Sequence, residues 1–168
     1  TALTLPTGIS LDSTLRLRGA VLGGLCVLVG STSENITVDQ HGNVRRLVPR
    51  APTVGPTLVA GTTGTLSGTY TVWATFKIKD ANGNVIGESD FSPISNSLAI
   101  TTDALSATKI PTTSEQIPAN TSFSRQLYRS LTAGTVKFPW IEVEGNTIVS
   151  AEDDLSDAGM ELIAAPTD

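Results

Sequence analysis

The chain of 168 residues holds one histidine and one cysteine, which narrows the chemistry at once. His41 lies between Gln40 and Gly42, in a stretch that reads as an exposed turn. Serine and cysteine hydrolases need a histidine beside the nucleophile and a third group to orient it. One turn histidine with no matching cysteine supplies no such pair. Cys26 alone forms neither an intrachain disulfide nor a thiolate zinc cluster. Within Leu25-Cys26-Val27-Leu28-Val29 it reads as a buried small hydrophobe. The expectation is no catalytic residue, no cofactor and no metal.

Carboxylates are denser. Glu152, Asp153 and Asp154, with Asp157, form the most acidic run. Three readings stand open for it: ligation of a hard cation, pairing with Arg45, Arg46 or Arg50 of a neighbouring copy, or a solvated loop leading into a helix. In the last case acidic groups suit the positive end of the helix dipole. Asp80-Ala81-Asn82-Gly83-Asn84 sets oxygen side chains at alternate positions, as calcium loops do. It lacks their closing bidentate glutamate at the required distance, although Glu88 lies nearby. A hairpin turn explains all five residues without an ion. Paired carboxylates also serve glycoside hydrolysis, but with 5% aromatic residues the chain is poor in sugar-stacking rings. Asn35-Ile36-Thr37 and Asn120-Thr121-Ser122 match the glycosylation pattern and read as coincidence in a threonine-rich chain. Gly61-Thr62-Thr63-Gly64 lacks the lysine of a phosphate-binding loop.

Charge is uneven along the chain. The net value is −5, yet residues 1–60 carry five basic and three acidic groups, whereas residues 101–168 carry four basic and ten acidic groups. Arg45, Arg46 and Arg50 are too few for a nucleic-acid patch, and the acidic balance argues against nucleic acid or an anionic membrane as partner. Basic residues Arg16, Arg18, Arg45, Arg46 and Arg50 are instead expected to meet the acidic C-terminal surface of a neighbouring subunit. No run approaches the ~18 apolar residues of a membrane span. The N-terminus shows no basic region followed by an apolar one, so a product made without a signal peptide is expected.

Thr, Val, Gly and Ser dominate and only 16% of residues are charged, a balance that favours an all-β protein. The clearest element is Thr69–Ser95. Tyr70, Val72, Ala74, Phe76 and Ile78 alternate with Thr71, Trp73, Thr75, Lys77 and Lys79, the period of a strand. Asn82-Gly83 supplies a turn, and Val85-Ile86 begins the return, giving a long hairpin. Residues 1–14 read as an extended arm. Residues 15–48 read as a meander of three or four strands, with Leu25–Val29 buried. Pro49, Pro52 and Pro56 mark an extended linker, and Gly61, Gly64 and Gly68 a flexible lead-in. Short strands follow at Ser97–Thr101, Leu105–Ile110, Ser122–Ser130, around Val136–Val143 with Pro139 at an edge or bulge, and at Thr147–Ser150. One helical turn over Ala158–Ile163 is capped by Ser156 or Asp157. Two parts result: residues 1–55, arm, meander and linker; residues 56–168, an antiparallel β-sandwich.

Two stretches resemble fibronectin type III modules. Tyr70-x-Val72-x-Ala74, Asn82-Gly83, and Gly87-Glu88-Ser89-Asp90-x-Ser92-Pro93 resemble the late strand pair of that module. Gln126-Leu127-Tyr128-Arg129-Ser130, Gly134, Trp140-Ile141-x-Val143 and Asp153-Asp154 resemble its middle strands. In the usual module the Tyr-Arg strand comes first; here it follows, which implies a permuted sandwich of fibronectin III or immunoglobulin type. From Gly64 onward this order is similar to that of tailed-bacteriophage virion proteins of the tail and neck. Val29-Gly30, Asn35-Ile36, Gly42-Asn43 and Pro49 are similar to the lead-in of such proteins. The resemblance implies a non-enzymatic structural subunit of a ring, tube or fibre, located in the virion. Its partners would be copies of itself and neighbouring virion proteins. The competing reading is a carbohydrate- or receptor-binding sandwich, which requires Trp73 and Trp140 exposed together on one face.

Overall fold

A computed structural model describes residues 5, 9–10, 14, 18–22, 25–30, 35–115, 117 and 121–164. Arg16, most of the arm, the Gly23-Gly24 interruption, the loop at 31–33 and Asn120 lie outside the described residues.

Four strands, β1 (Arg18–Leu22), β2 (Leu25–Val29), β3 (Ile36–Val38) and β4 (Val44–Arg46), pair antiparallel in chain order. Residues 15–17, expected to open the first strand, lie outside the described residues. Asp39 closes the β3–β4 turn, its carboxylate accepting the His41 N–H at 2.8 Å, the Asn43 N–H at 2.9 Å and the Asn43 side-chain amide at 2.7 Å. His41 is exposed there. β2 is apolar throughout, yet Cys26, Val27, Leu28 and Val29 are only half-buried. Neither the strand nor Cys26 is the buried element that composition predicts, because its outer neighbour β1 stands in solvent.

The remaining strands are β5 (Thr57–Tyr70), β6 (Val72–Lys79), β7 (Val85–Glu88), β8 (Leu98–Thr108), β9 (Ser122–Arg129), β10 (Phe138–Glu144) and β11 (Ser150–Asp153), followed by helix α1 (Asp157–Ala164). They form a four-stranded antiparallel sheet in the order β10-β9-β6-β7 and a three-stranded one in the order β11-β8-β5. Leu58, Leu66 and Tyr70 of β5, Val72 and Ala74 of β6, Ile100, Leu105 and Ala107 of β8, Leu127 of β9 and Val143 of β10 share one core. The chain is an all-β antiparallel sandwich. β9 follows β6 in sequence but lies beside it, with Val72 in register with Arg129 and Ile78 with Phe123.

Three local expectations change. Tyr70 and Val72 do not share a strand, since the chain crosses between the sheets at Thr71. The glycine-rich lead-in lies within the 14-residue strand β5. Its register slips between Ala60 and Ser67, and a Cβ on Gly64 would lie 2.5 Å from the Ala104 nitrogen. Glycine here permits close backbone approach at a bulge rather than marking a loose segment. The two short strands around residues 97–110 are one strand, β8, and the strand expected at Thr147–Ser150 begins only at Ser150.

Beyond β7 the edge of β6 is closed by Ser89, Ser92 and Ser95. Their N–H groups donate to the carbonyls of Phe76, Ala74 and Val72 at 2.9, 2.8 and 2.9 Å. Their hydroxyl oxygens accept the N–H groups of the same three residues at 2.9, 2.9 and 2.8 Å. Each hydroxyl then donates to the following carbonyl, of Asp90, Pro93 or Asn96. A serine at every third position thus satisfies both backbone groups of alternate β6 residues without forming a strand. The proline linker runs over this edge: Cβ atoms on Gly87 and Gly55 would lie 2.9 Å from the Leu47 carbonyl and 2.5 Å from the Pro93 carbonyl.

Candidate functional site

The acidic run is drawn into the fold. Glu152 stands on β11, and its carboxylate accepts the N–H and hydroxyl of Thr62. Asp154 does the same for Thr65, taking its N–H at 2.6 Å and its hydroxyl at 3.1 Å. These two carboxylates hold the bulged stretch of β5. Asp153 accepts the Trp140 indole N–H at 3.0 Å. Asp157 opens α1, where Ser156 is the cap: its hydroxyl accepts the Gly159 N–H at 3.1 Å. The Asp157 carboxylate accepts from Arg129 at 2.9 Å, from the Thr132 N–H at 2.9 Å and from the Thr132 hydroxyl at 2.8 Å. Burial pushes this carboxyl up, but the Thr132 donors and the Arg129 charge outweigh it and hold it below the usual aspartate range. Among the described residues no three His, Cys, Asp or Glu side chains gather as a metal site. The Asp80 carboxylate closes its hairpin, accepting the N–H groups of Asn82 and Asn84 at 2.9 Å while Gly83 takes a φ of +86°.

Of the arginines expected to meet that acidic surface on a neighbouring copy, Arg16 lies outside the described residues. Arg18 and Arg50 are exposed. Arg45 donates to the Ile117 carbonyl, and Arg46 pairs with Glu115 at 3.0 Å with its side chain 8% exposed. Together with Phe76, Ile78 and Phe123, these arginines line an open groove of about 860 Å³ between the meander and the four-stranded sheet. Leu5, the arm residue described there, is half-buried in it.

Sequence periodicity leaves open which face of β9 is inward. It is the face of Phe123, Arg125, Leu127 and Arg129, so two arginines enter the sandwich. Arg129 is fully buried, with its two terminal nitrogens bonded to Asp157 and to the Leu155 carbonyl at 2.6 Å, its Nε unpartnered and its guanidinium 5.1 Å from the Tyr70 ring centre. Arg125 is equally buried, but its Nε and one terminal nitrogen find no partner, and the other terminal nitrogen reaches only the Pro111 carbonyl at 3.4 Å. Burial lowers its pKa.

The opposite face of this sheet is a charged layer. Glu88 accepts from Thr75 at 2.6 Å and from Tyr128 at 2.7 Å. Burial and then the Glu88 hydrogen bond and charge push the Tyr128 phenol up. Lys79 bridges Glu142 and Glu144, whose hydrogen bonds raise its pKa. Beside this layer Phe91 meets Tyr128 edge-on at 5.0 Å, and Lys137 lies 4.9 Å over both Trp73 and Phe91. Trp73 is 9% exposed on this outer side, whereas Trp140 packs against the core and donates to Asp153. The two tryptophans therefore do not form the common platform that sugar binding requires. Sequence reasoning missed the serine series, although its period of three is visible, and missed Glu115, Arg125 and Arg129, for which no local signal exists.

No family model, no curated protein and no solved structure matches this chain.

Proposed function

We propose that the protein is a non-enzymatic structural subunit of a tailed-bacteriophage virion, assembling with further copies and neighbouring virion proteins into a ring, tube or fibre of the tail or neck. One observation carries this reading: the residues behind the resemblance build shape rather than converge on a cleft. Ser89 and Ser92 close an edge, Arg129 with Asp157 fastens the helix, and Asp153 and Asp154 brace strands. A chain organised in this way presents surfaces to neighbours, with interfaces that in permanent assemblies exceed about 2,000 Å². Among the described residues the exposed Arg18 is well placed to meet the acidic exterior of the next copy. Glycan binding is the weaker reading, since Lys137 covers Trp73 and the core takes Trp140.

The mass of the purified chain, measured by light scattering at two concentrations and two salt levels and paired with negative-stain imaging, tests the proposal. A closed ring or regular tube is expected. A chain that never forms a ring, tube or fibre, alone or with its neighbouring virion proteins, overturns it.

A further inference from the structure

Every strand that ends a sheet leaves backbone donors and acceptors ready to pair with another chain, and stable monomers protect such edges. Most edges here are protected. β7 is four residues long, the stretch at Leu47–Pro49 reaches its Gly87 and the serine series closes β6 beyond it, although Val85 and Ile86 stay exposed. β10 carries Pro139 and a register slip between Pro139 and Glu142. β5 is bulged, and the Asn96 side chain occupies the backbone of Leu58, accepting its N–H at 2.8 Å and donating to its carbonyl at 3.0 Å. β11 is short and carries Glu152 and Asp153, and β4 is three residues long with two arginines. β1 differs. Its five residues pair with β2 in unbroken register, without proline or bulge. Arg18, Gly19, Ala20 and Val21 are all exposed, Val21 at 76%.

We propose that β1 is a self-pairing edge: the β1 strands of two copies join antiparallel about a two-fold axis at Ala20, fusing two four-stranded meanders into one sheet. The inference rests on the subunit reading above and names one of its interfaces. Charge selects the direction, and the fit at Gly19 selects a second copy as the occupant. The strand has a single charge, Arg18. Parallel self-pairing would set Arg18 against Arg18, a destabilising like-charge pair. The antiparallel arrangement sets Arg18 in register with Leu22 of the second copy and puts the two arginines at opposite ends. Shape agrees. Gly19 would then face Val21 of the second copy. Leu28 already lies over Gly19, its Cδ2 2.8 Å from where a Cβ would stand, so the incoming valine gains an apolar neighbour. A two-fold contact needs only the one surface that each copy has. It also gives the half-exposed apolar residues of β2 a wider sheet to belong to.

The test uses the full chain with Cys26→Ser and Ala20→Cys. Directly opposed residues of an antiparallel pair have Cα atoms about 4.5–5.5 Å apart, within the range a disulfide spans, so mild oxidation is expected to give a covalent dimer. Val21→Lys, at a site where folding does not need the valine, is expected to split the pair and halve the particle mass at an unchanged melting temperature. A cysteine variant that stays monomeric under oxidation, or a lysine variant that keeps the parent mass, overturns the pairing. The two proposals fail separately. A ring or tube built by a cysteine variant that does not cross-link on oxidation retains the subunit reading and removes the β1 pairing. A cross-linked dimer that never builds a larger particle does the reverse.

Discussion

Arg125 and Arg129 stand on the same face of one strand, and the structure treats them in opposite ways. Arg129 has a carboxylate, a carbonyl and an aromatic ring, and leaves only its Nε without a partner. Arg125 has buried nitrogens without partners. Removing one partner of a buried pair strands the other charge, whereas replacing an uncompensated buried charge with an apolar side chain removes a desolvation cost. Arg129→Met is therefore expected to lose about 3 kcal/mol, with part-exposed Asp157 keeping the loss modest. Arg125→Met is expected to be neutral or stabilising by about 1–2 kcal/mol. Urea unfolding of both variants checks this, and equal losses would contradict it. Asp157 adds a pH dependence. Its carboxyl is held below the ordinary value, so its contribution is fully present above the unfolded pKa of about 3.9 and is lost as pH falls through the lower folded pKa. Asp157→Asn should therefore be less stable than the parent at neutral pH, and the gap should close in acid below about pH 4. Thermal melts from pH 7 to pH 2 measure it; a gap constant with pH would refute the assignment.

Among the elements, β6 shows how side chains can replace a missing strand. Val72, Ala74 and Phe76 have their outward N–H groups held by serine hydroxyls. Ser92→Ala leaves the buried Ala74 N–H without an acceptor, at a cost of about 1–3 kcal/mol. Amide exchange gives the sharper readout. Protection at Ala74 should fall by more than protection at Thr75, whose backbone pairs with β9; an equal fall at both would mean general destabilisation only. Threonine at the same position should recover much of the protection, since it keeps the hydroxyl.

For the molecule as a whole, the question is which of its surfaces reach other copies. The acidic run is largely engaged inside its own chain, so charge attraction between copies is left to exposed groups such as Arg18 and Glu161. Pairs of this kind are screened by salt. Arg18→Glu should lower the assembled fraction at low salt and flatten its salt dependence. Light scattering across a salt series would show it, and an unchanged mass and slope would remove charge from the account. Among the described residues no helix is long and apolar enough to cross a membrane.

Much of the local architecture is legible in the residues. The alternation from Val72 to Lys79, the Asn82-Gly83 turn, Pro139 at an irregular edge and Ser156 at a helix start are backbone preferences that a few neighbouring residues express by themselves. Pairings between distant stretches leave no such trace. Thr62 and Glu152 are 90 residues apart, and Arg129 and Asp157 are 28 apart. A glycine-rich run reads as loose until Ala104 and Asp154 are seen pressing on Gly64. The crossing at Thr71 and the inward arginines of β9 likewise depend on which sheet lies opposite. Sequence therefore sets strands, turns and caps through local conformational energy. The roles of the charged residues follow from packing, because a carboxylate becomes a brace, a clasp or a free surface group only according to the donors that the fold brings to it.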